Sequence, residues 1–462
     1  MQVSYAVLIT LVMYQLLLLG VGYWARSRAR TTEGYFIGER GLGPWIAALS
    51  YAAGSSSAWS ILGVSGIAFS QGLSAFWLLP GTLTGHLVVW FWIAPHMQRL
   101  SHRHRWVTLT DMLAFELPHQ AARATYRLSA VVILFSFTFY IAAQFQGAAN
   151  TFTAVFQFDF LTALLVGAAV VLIYTLWGGF WAVSLTDALQ AGLMLLAAVM
   201  LPIVALVAVG GWAGLAQASA NEAAGYWAWV GGHSGWFAMG FMLGMLSIGF
   251  GPLGQPHLLN RLMAMKEGRD IRLARIVALT WFVLVLCGMF LLGVCGRVLL
   301  QSVADSEQVF FVLAAELLPV AFTGVLVAAV LSAIMSTADS QLLVAGAAIH
   351  NDLRRDPGHA HHAARGAVLA VAVAAVLLAL FLPEAIFSRV LFAWNALGAA
   401  FGPVVVARLL GWRLSGWAVP LAIGLGFGLT VLFYSLPDGP GDLWERGIPF
   451  VVAFVVLLLR RQ

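Results

Sequence analysis

The residues with the most chemical potential lie between Leu331 and Gln341, where the chain reads Leu-Ser-Ala-Ile-Met-Ser-Thr-Ala-Asp-Ser-Gln inside a long apolar run. Hydroxyls, a carboxylate and an amide are costly there unless they have a purpose. At about 100° per residue, Ala333, Ser336, Thr337 and Ser340 share one helix face, with Asp339 flanking it beside Ser336. Hydroxyl and carbonyl oxygens suit a small hard cation, and the freed carbonyls of a broken helix opposite could complete its shell. Two such breaks are legible, Gly54-Ser55-Ser56-Ser57 and Gly249-Phe250-Gly251-Pro252-Leu253-Gly254. Ser and Thr also bond back to their own helix or join neighbouring helices, and Gly and Pro are frequent in membrane helices. No single motif decides; paired breaks with a polar face between them favour a site.

Other polar residues are less specific. Asp187 opens an apolar run and reads equally as an interfacial carboxylate or a helix N-terminal charge. Tyr140, Gln144 and Gln146 offer a ring and two amides, enough to orient a polar solute. Gln255 and His257 end the second break and His86 sits in an apolar run; such histidines are more often packed than proton carriers. The chain has no nucleotide cradle, metal-ligand cluster or nucleophile with its base, which argues against an enzyme or an ATP-driven pump and for no bound organic cofactor.

The elements that must hold these residues are membrane helices. Of 462 residues, 61% are hydrophobic and 9% charged, whereas a soluble domain carries about 25% charged residues. Apolar runs fall near 4–25, 43–69, 72–96, 121–154, 158–177, 185–209, 234–254, 273–303, 307–350, 363–383, 388–410, 415–435 and 447–460. Each approaches or exceeds the ~20 residues of a crossing, so the expected fold is an all-α integral membrane protein of about thirteen transmembrane helices. The first run lacks the basic start and small-residue cleavage site of a signal peptide and reads as a helix. Cys287 and Cys295 are too far apart along one helix to bridge. A net charge of +5 forms no single basic face, which excludes nucleic acid as a partner.

Nearly all of the 24 Lys and Arg fall in alternate gaps. Arg26, Arg28, Arg30 and Arg40 follow the first run, Arg99, Arg103, Arg105, Arg123 and Arg127 the third, Arg261, Lys266, Arg269, Arg272 and Arg275 the seventh, Arg354, Arg355 and Arg365 the ninth, Arg408 and Arg413 the eleventh; Arg460 and Arg461 end the chain. The gaps between carry Asp305, Glu307, Glu384, Asp438, Asp442 and Glu445, with Arg297, Arg389 and Arg446 as the basic exceptions. The positive-inside rule then puts the basic side and the C-terminus in the cytoplasm and the N-terminus outside, in a multi-pass cell membrane protein, expected in a bacterial inner membrane. Residues 43–209 and 234–410 each hold five runs, and an odd number inverts the second copy relative to the first; 1–30 adds an N-terminal helix and 415–462 two at the end. Each copy opens on one of the breaks, the pattern of a midplane site in an inverted-repeat transporter.

These segments resemble the sodium/solute symporter family, and within it the bacterial sodium/proline symporters. The resemblance rests on Gly38-Glu39-Arg40-Gly41-Leu42-Gly43, Ser57 with Trp59, Trp177-Gly178-Gly179-Phe180 through Thr186-Asp187, Gly254-Gln255-Pro256-His257, Met335-Ser336-Thr337 through Gln341-Leu342-Leu343, and Phe401-Gly402-Pro403-Val404-Val405. It implies a LeuT-like five-plus-five inverted repeat that imports a small solute, an amino acid or related zwitterion, with sodium by alternating access. The implied sodium site uses backbone oxygens at Ala53, Ser56 and Ala333 and the hydroxyls of Ser336 and Thr337. The implied solute site draws on Ser55, Ser57, Trp59, Tyr140, Gln144, Ile248, Pro252 and Gln255. Asp187 matches an acidic position near a cytoplasmic cation exit or second sodium site. Ser55 stands where proline symporters have an aspartate, and Ile248 and Pro252 where they have a tryptophan and a tyrosine, so proline is not the expected tightest ligand. Asp339 replaces a hydroxyl residue, and two neighbouring buried carboxylates cannot both ionise without a cation or proton between them; a second cation site of Asp187, Asp339 and Ser340 follows, for sodium or a proton.

A proton-coupled or monocarboxylate symporter of the same fold is the alternative. A solute-sensing module would need a signalling domain, and the chain stops soon after its last run. One chain supplies every expected site residue, so a monomer suffices.

Overall fold

The computed structural model describes residues 5–25, 32–219, 225–266, 271–300, 302–354, 360–382, 385–437 and 439–461. Arg26, Arg28, Arg30, Arg269, Arg355, Glu384 and Asp438 of the expected charge pattern lie outside them. The described residues form helices and turns, with isolated bridges only at Leu42–Met265 and Leu414–Arg461.

Helix α1 (Tyr5–Ala25) has 21 residues, about 30 Å at 1.5 Å per residue, the thickness of a bilayer's hydrocarbon. Helix α2 (Pro44–Ser55) starts on a proline whose missing N–H costs nothing at a first turn, and stops where Ser56 leaves helical geometry (φ −110°, ψ 87°). A widened turn, Trp59–Gly63, restarts the helix as α3 (Val64–Gln71). Then come α4 (Leu78–Val88) and α5 (His119–Phe156). The expected runs 158–177 and 185–209 join in α6 (Phe160–Val209), bent at Gly179 (φ 62°, ψ 178°), a conformation open only to glycine.

The second break separates α7 (Gly235–Ser247) from α8 (Pro256–Met263) by a tight turn, Ile248–Gly254, and an extended Gln255. Helix α9 (Ile271–Leu299) follows. The run expected at 307–350 proves to be two helices, α10 (Val309–Leu317) and α11 (Val320–Ala347). They part at Leu318-Pro319, because Leu318 is extended before a proline that cannot continue the hydrogen-bond ladder. Helices α12 (Ala360–Phe381), α13 (Ile386–Leu409), α14 (Ala418–Tyr434) and α15 (Ile448–Leu459) complete the chain.

Both breaks lie inside the bundle, whereas α7 leads into the second with Trp236 and Phe237 exposed. Helix α11 packs on α6, α5, α1 and α2, while α13 packs on the Ile248–Gly254 turn and on α5. Leu8, Ile9 and Met13 of α1, Val207 of α6 and Phe381 of α12 face outward, whereas Asp187, Arg261, Gln144, Gln341 and Asp339 are buried. Apolar side chains outside and polar ones inside fit a chain whose surroundings are lipid.

Candidate functional site

The break after α2 exposes backbone groups that the neighbouring helices meet with side chains. Ser336 Oγ donates to the Ala53 carbonyl at 3.2 Å and Thr337 Oγ1 to the Gly54 carbonyl at 3.3 Å. Ser336 also reaches the Ala333 carbonyl at 3.3 Å. Ala53, Ala333, Ser336 and Thr337 are thus brought together as an oxygen-only cluster, with the Gly54 carbonyl as a member that the sequence reading lacked. Ser56 is buried at the turn, its N–H on the Ala53 carbonyl. On the far side of the break, the Gln144 amide oxygen accepts the Ala58 N–H at 3.0 Å and Ser57 Oγ accepts the Trp59 N–H at 3.2 Å. Two orphan donors at the start of the second half-helix are satisfied in this way.

The same break lines a small enclosed cavity with Ser55, Ser56, Trp59 and Ser60; Thr82, His86, Tyr140, Ile248, Phe282, Leu286, Val390, Leu391 and Trp394 complete its wall. Its free interior is about 10 Å³, room for about one water. Of the expected solute residues, Ser55, Trp59, Tyr140 and Ile248 line it. Ser57, Gln144, Pro252 and Gln255 do not, and the reasons are structural. Ser57 and Gln144 hold the first break; Tyr140 itself donates to Ser57 at 3.4 Å. Gln255 Nε2 donates to the Trp394 carbonyl at 2.9 Å and the Gly251 carbonyl at 3.3 Å, and Trp394 Nε1 donates to the Ile248 carbonyl at 3.2 Å. These bonds clamp the second break, with Pro252 buried inside it, onto α13. A Cβ at Gly251 would run into the Trp394 indole, which explains a glycine there.

Between α2, α6, α8 and α11, the Arg261 side chain reaches the residues expected to hold a second cation. Arg261 Nη2 lies 2.7 Å from Asp187 Oδ2, and Arg261 Nε donates to Ser50 Oγ at 2.6 Å. Ser50 in turn donates to Asp187 Oδ2 at 2.7 Å. The guanidinium also donates to Ser340 Oγ and the His257 carbonyl. Ser340 donates to Asp339 Oδ1 at 3.1 Å, which brings the second carboxylate within one hydroxyl of the pair. The Arg261 and Asp187 side chains are 2% and 0% exposed. In this arrangement the positive charge at Asp187 and Ser340 comes from the chain itself. Asp187 Oδ1, and Ser184 Oγ one turn before it, are buried with no hydrogen-bond partner among the described residues.

A sodium:solute symporter family model matches residues 35–415. The chain belongs to the sodium:solute symporter family. The osmoregulated proline transporter OpuE of Bacillus subtilis is 32% identical over 458 residues, covering 93% of this chain and 89% of the relative. The sodium/proline symporter of Escherichia coli is 31% identical over 455 residues, covering 94% and 89%. Among solved structures, a substrate-bound, outward-open Na+-coupled sialic acid symporter superposes over 100% of both chains with a TM-score of 0.84 at 15% identity. The closed form of the nucleobase-cation symporter Mhp1 covers 92% of each chain with a TM-score of 0.58 at 12% identity.

The fold is therefore the LeuT-like inverted repeat, and this sodium:solute symporter is a multi-pass membrane transporter, not an enzyme. Sodium is its coupling ion and a small molecule its cargo. A symporter must tie ion and solute to one moving part, and the α2–α3 break touches both the oxygen cluster and the cavity. His86 reads in the sequence only as a packed histidine, and Thr82, Phe282, Val390 and Trp394 carry no signal there, because no motif marks a cavity wall assembled from helices distant in the chain. Arg261 was counted only for orientation; its place four residues after His257, one turn past a break, was the available signal.

Proposed function

We propose that this symporter imports a small zwitterionic amino acid, proline-like in size, by alternating access. Its sodium is held by the carbonyls of Ala53, Gly54, Ser56 and Ala333 and the hydroxyls of Ser336 and Thr337. The observation that carries this reading is the shared break: its α2 end offers oxygens to α11, and its turn forms one wall of the cavity. Filling the ion cluster orders the turn, and an ordered turn presents Ser55, Ser56 and Trp59 to the solute. A free interior of about 10 Å³ is far smaller than any amino acid, so the walls must part on one side to load and on the other to release. The proline transporters at 31–32% identity support the solute class.

Residues 43–209 and 234–410 serve as the two repeats, with the basic loops and the C-terminus in the cytoplasm of a bacterial cell. Asp187, Asp339 and Ser340 form the second cation position, which Arg261 occupies while that side is closed and a sodium ion or proton can enter when Arg261 withdraws. A monocarboxylate is the second reading, favoured because among the described residues no acidic side chain lines the cavity to pair an ammonium group. Uptake by proteoliposomes of a labelled panel of amino acids and monocarboxylates, with sodium and proton gradients imposed separately, tests both. Uptake that ignores the sodium gradient overturns the coupling; transport of monocarboxylates alone overturns the solute class.

A further inference from the structure

The cavity wall on α4 carries polar groups for which the ion cluster and the helix break have no use. Thr82 and His86 are four residues apart, hence on one helix face, and both are buried and line the cavity. Thr82 Oγ1 has no hydrogen-bond partner among the described residues, and neither do Ser60 Oγ and Trp59 Nε1 across the cavity. The His86 ring is fixed from two directions: it stacks on Phe282 with centroids 3.8 Å apart and planes at 14°, and its Nδ1 lies 3.1 Å from the Tyr51 hydroxyl. Tyr51 is held in turn by edge packing on Trp90 at 5.1 Å. A buried imidazole held this firmly, with Nδ1 engaged, leaves Nε2 as its one remaining polar atom.

An indole N–H can only donate, and hydroxyls can rotate to donate. The contact with the Tyr51 hydroxyl fits either tautomer; the one in which the hydroxyl donates to Nδ1 leaves the ring proton on Nε2 as a further donor. In that tautomer every group left over among the described lining residues can donate, and no Lys or Arg is among them. A ligand group that accepts several hydrogen bonds and offers none answers them, and a carboxylate is that group. Facing it, Ile248, Leu286 and Val390 are apolar and suit an aliphatic body.

We propose that Thr82 and His86 are the residues that select for a carboxylate on the solute, His86 through an Nε2–H set by Tyr51 and Thr82 through its hydroxyl. This rests on the cavity being the solute site. The pair reads the carboxylate while the apolar wall reads the side chain, so a solute with the same ring and an alcohol in place of the acid is rejected.

The test measures sodium-dependent binding of labelled L-proline to the purified full chain, with L-prolinol, its alcohol analogue, as competitor. Hydrogen bonds to a charged group contribute about 1.5–3 kcal/mol. Thr82→Val and His86→Phe are therefore each expected to lower the preference for proline over prolinol by about 10- to 100-fold. Tyr51→Phe, which frees the tautomer, is expected to lower it less. Loss of general packing would weaken both ligands together and leave their ratio intact, so an unchanged ratio in Thr82→Val and His86→Phe overturns the proposal. If His86→Phe does not fold, the near-isosteric Thr82→Val decides. Absence of sodium-dependent proline binding by the unaltered chain would instead overturn the solute reading beneath the proposal, and the proposal with it.

Discussion

Removing Asp187 should open the side of the transporter that Arg261 now closes, and the size of the effect follows from the contacts. The guanidinium joins four helices, reaching Ser50 of α2, Asp187 of α6 and Ser340 of α11 from its own α8. With the side chains 2% and 0% exposed, removing one member leaves the other charge buried and uncompensated, at a cost of about 3–5 kcal/mol. That cost falls on the closed form only, because in the open form water reaches both groups. At 1.36 kcal/mol per factor of ten, Asp187→Asn and Arg261→Gln should each raise the population open on that side by about 10²- to 10⁴-fold. Hydrogen exchange on the segments 44–55 and 256–263 reads this directly, as faster exchange in each variant. The double variant, having lost both members of the pair, should recover part of the protection. Asp339 adds an asymmetry: in Asp187→Asn it lies one hydroxyl away and can rescue Arg261, whereas Arg261→Gln leaves Asp187 buried without the guanidinium. Arg261→Gln should therefore gain sodium or proton dependence that Asp187→Asn lacks. Wild-type exchange in both single variants, or strictly additive effects in the double, would refute the argument.

Ser336→Ala and Thr337→Ala each remove one hydroxyl oxygen from the cluster at Ala53 and Gly54, and should raise the half-saturating sodium concentration for uptake about 10-fold or more at unchanged protein abundance; wild-type sodium dependence in both would place the ion elsewhere. Proline should bind without being the tightest ligand, because the cavity wall carries the aliphatic Ile248 at a position where the resemblance to proline symporters implies an aromatic; competition by proline below the concentration of every other amino acid would overturn this. Asp339→Asn should lower the ion-to-solute ratio or flatten the pH dependence of transport while leaving solute binding in place, and a variant with unchanged stoichiometry and pH profile would end the case for a second cation position.

The legible parts of this molecule were those with local causes. The Gly54–Ser57 and Gly249–Gly254 stretches mark breaks, and Ser336 with Thr337 marks a polar face, each within a few residues of chain. The illegible parts are made by chain-distant encounters. Gln144 reads as a solute ligand but spends its oxygen on Ala58, 86 residues away. Gln255 likewise serves Trp394, 139 residues on. An amide in a membrane helix must find a partner, and sequence alone does not distinguish a backbone partner from a solute. Asp187 and Asp339 invite a cation on charge grounds, and only the fold brings Arg261 onto Asp187 across 74 residues.

The two ends of the solute path are closed by unequal means. At the end expected to face outward, Glu307 accepts the N–H groups of Ile386 and Phe387 at 3.2 and 2.9 Å, and the Phe387 ring stacks on Trp59 at 6.0 Å. A carboxylate at a helix N-terminus contributes about 0.3–1 kcal/mol when exposed and up to about 2 when partly buried, and the ring contact adds about 0.5–1.5 kcal/mol. At the opposite end the closure is a buried ion pair whose guanidinium also donates to Ser50, Ser340 and the His257 carbonyl, hydrogen bonds to a charged group contributing about 1.5–3 kcal/mol each. On these magnitudes the outer closure yields first, so the solute-free transporter samples outward-open forms more readily than inward-open ones. Loading must then supply what the inner closure demands. The Ser336–Thr337 cluster lies on the helix that also holds Ser340, and α2 carries both the Ala53 and Gly54 carbonyls and Ser50, a partner of Arg261. Sodium held by α2 and α11 therefore acts on the same two helices that Arg261 joins to Asp187, and the free energy of ion binding is available there to offset the breaking of that pair.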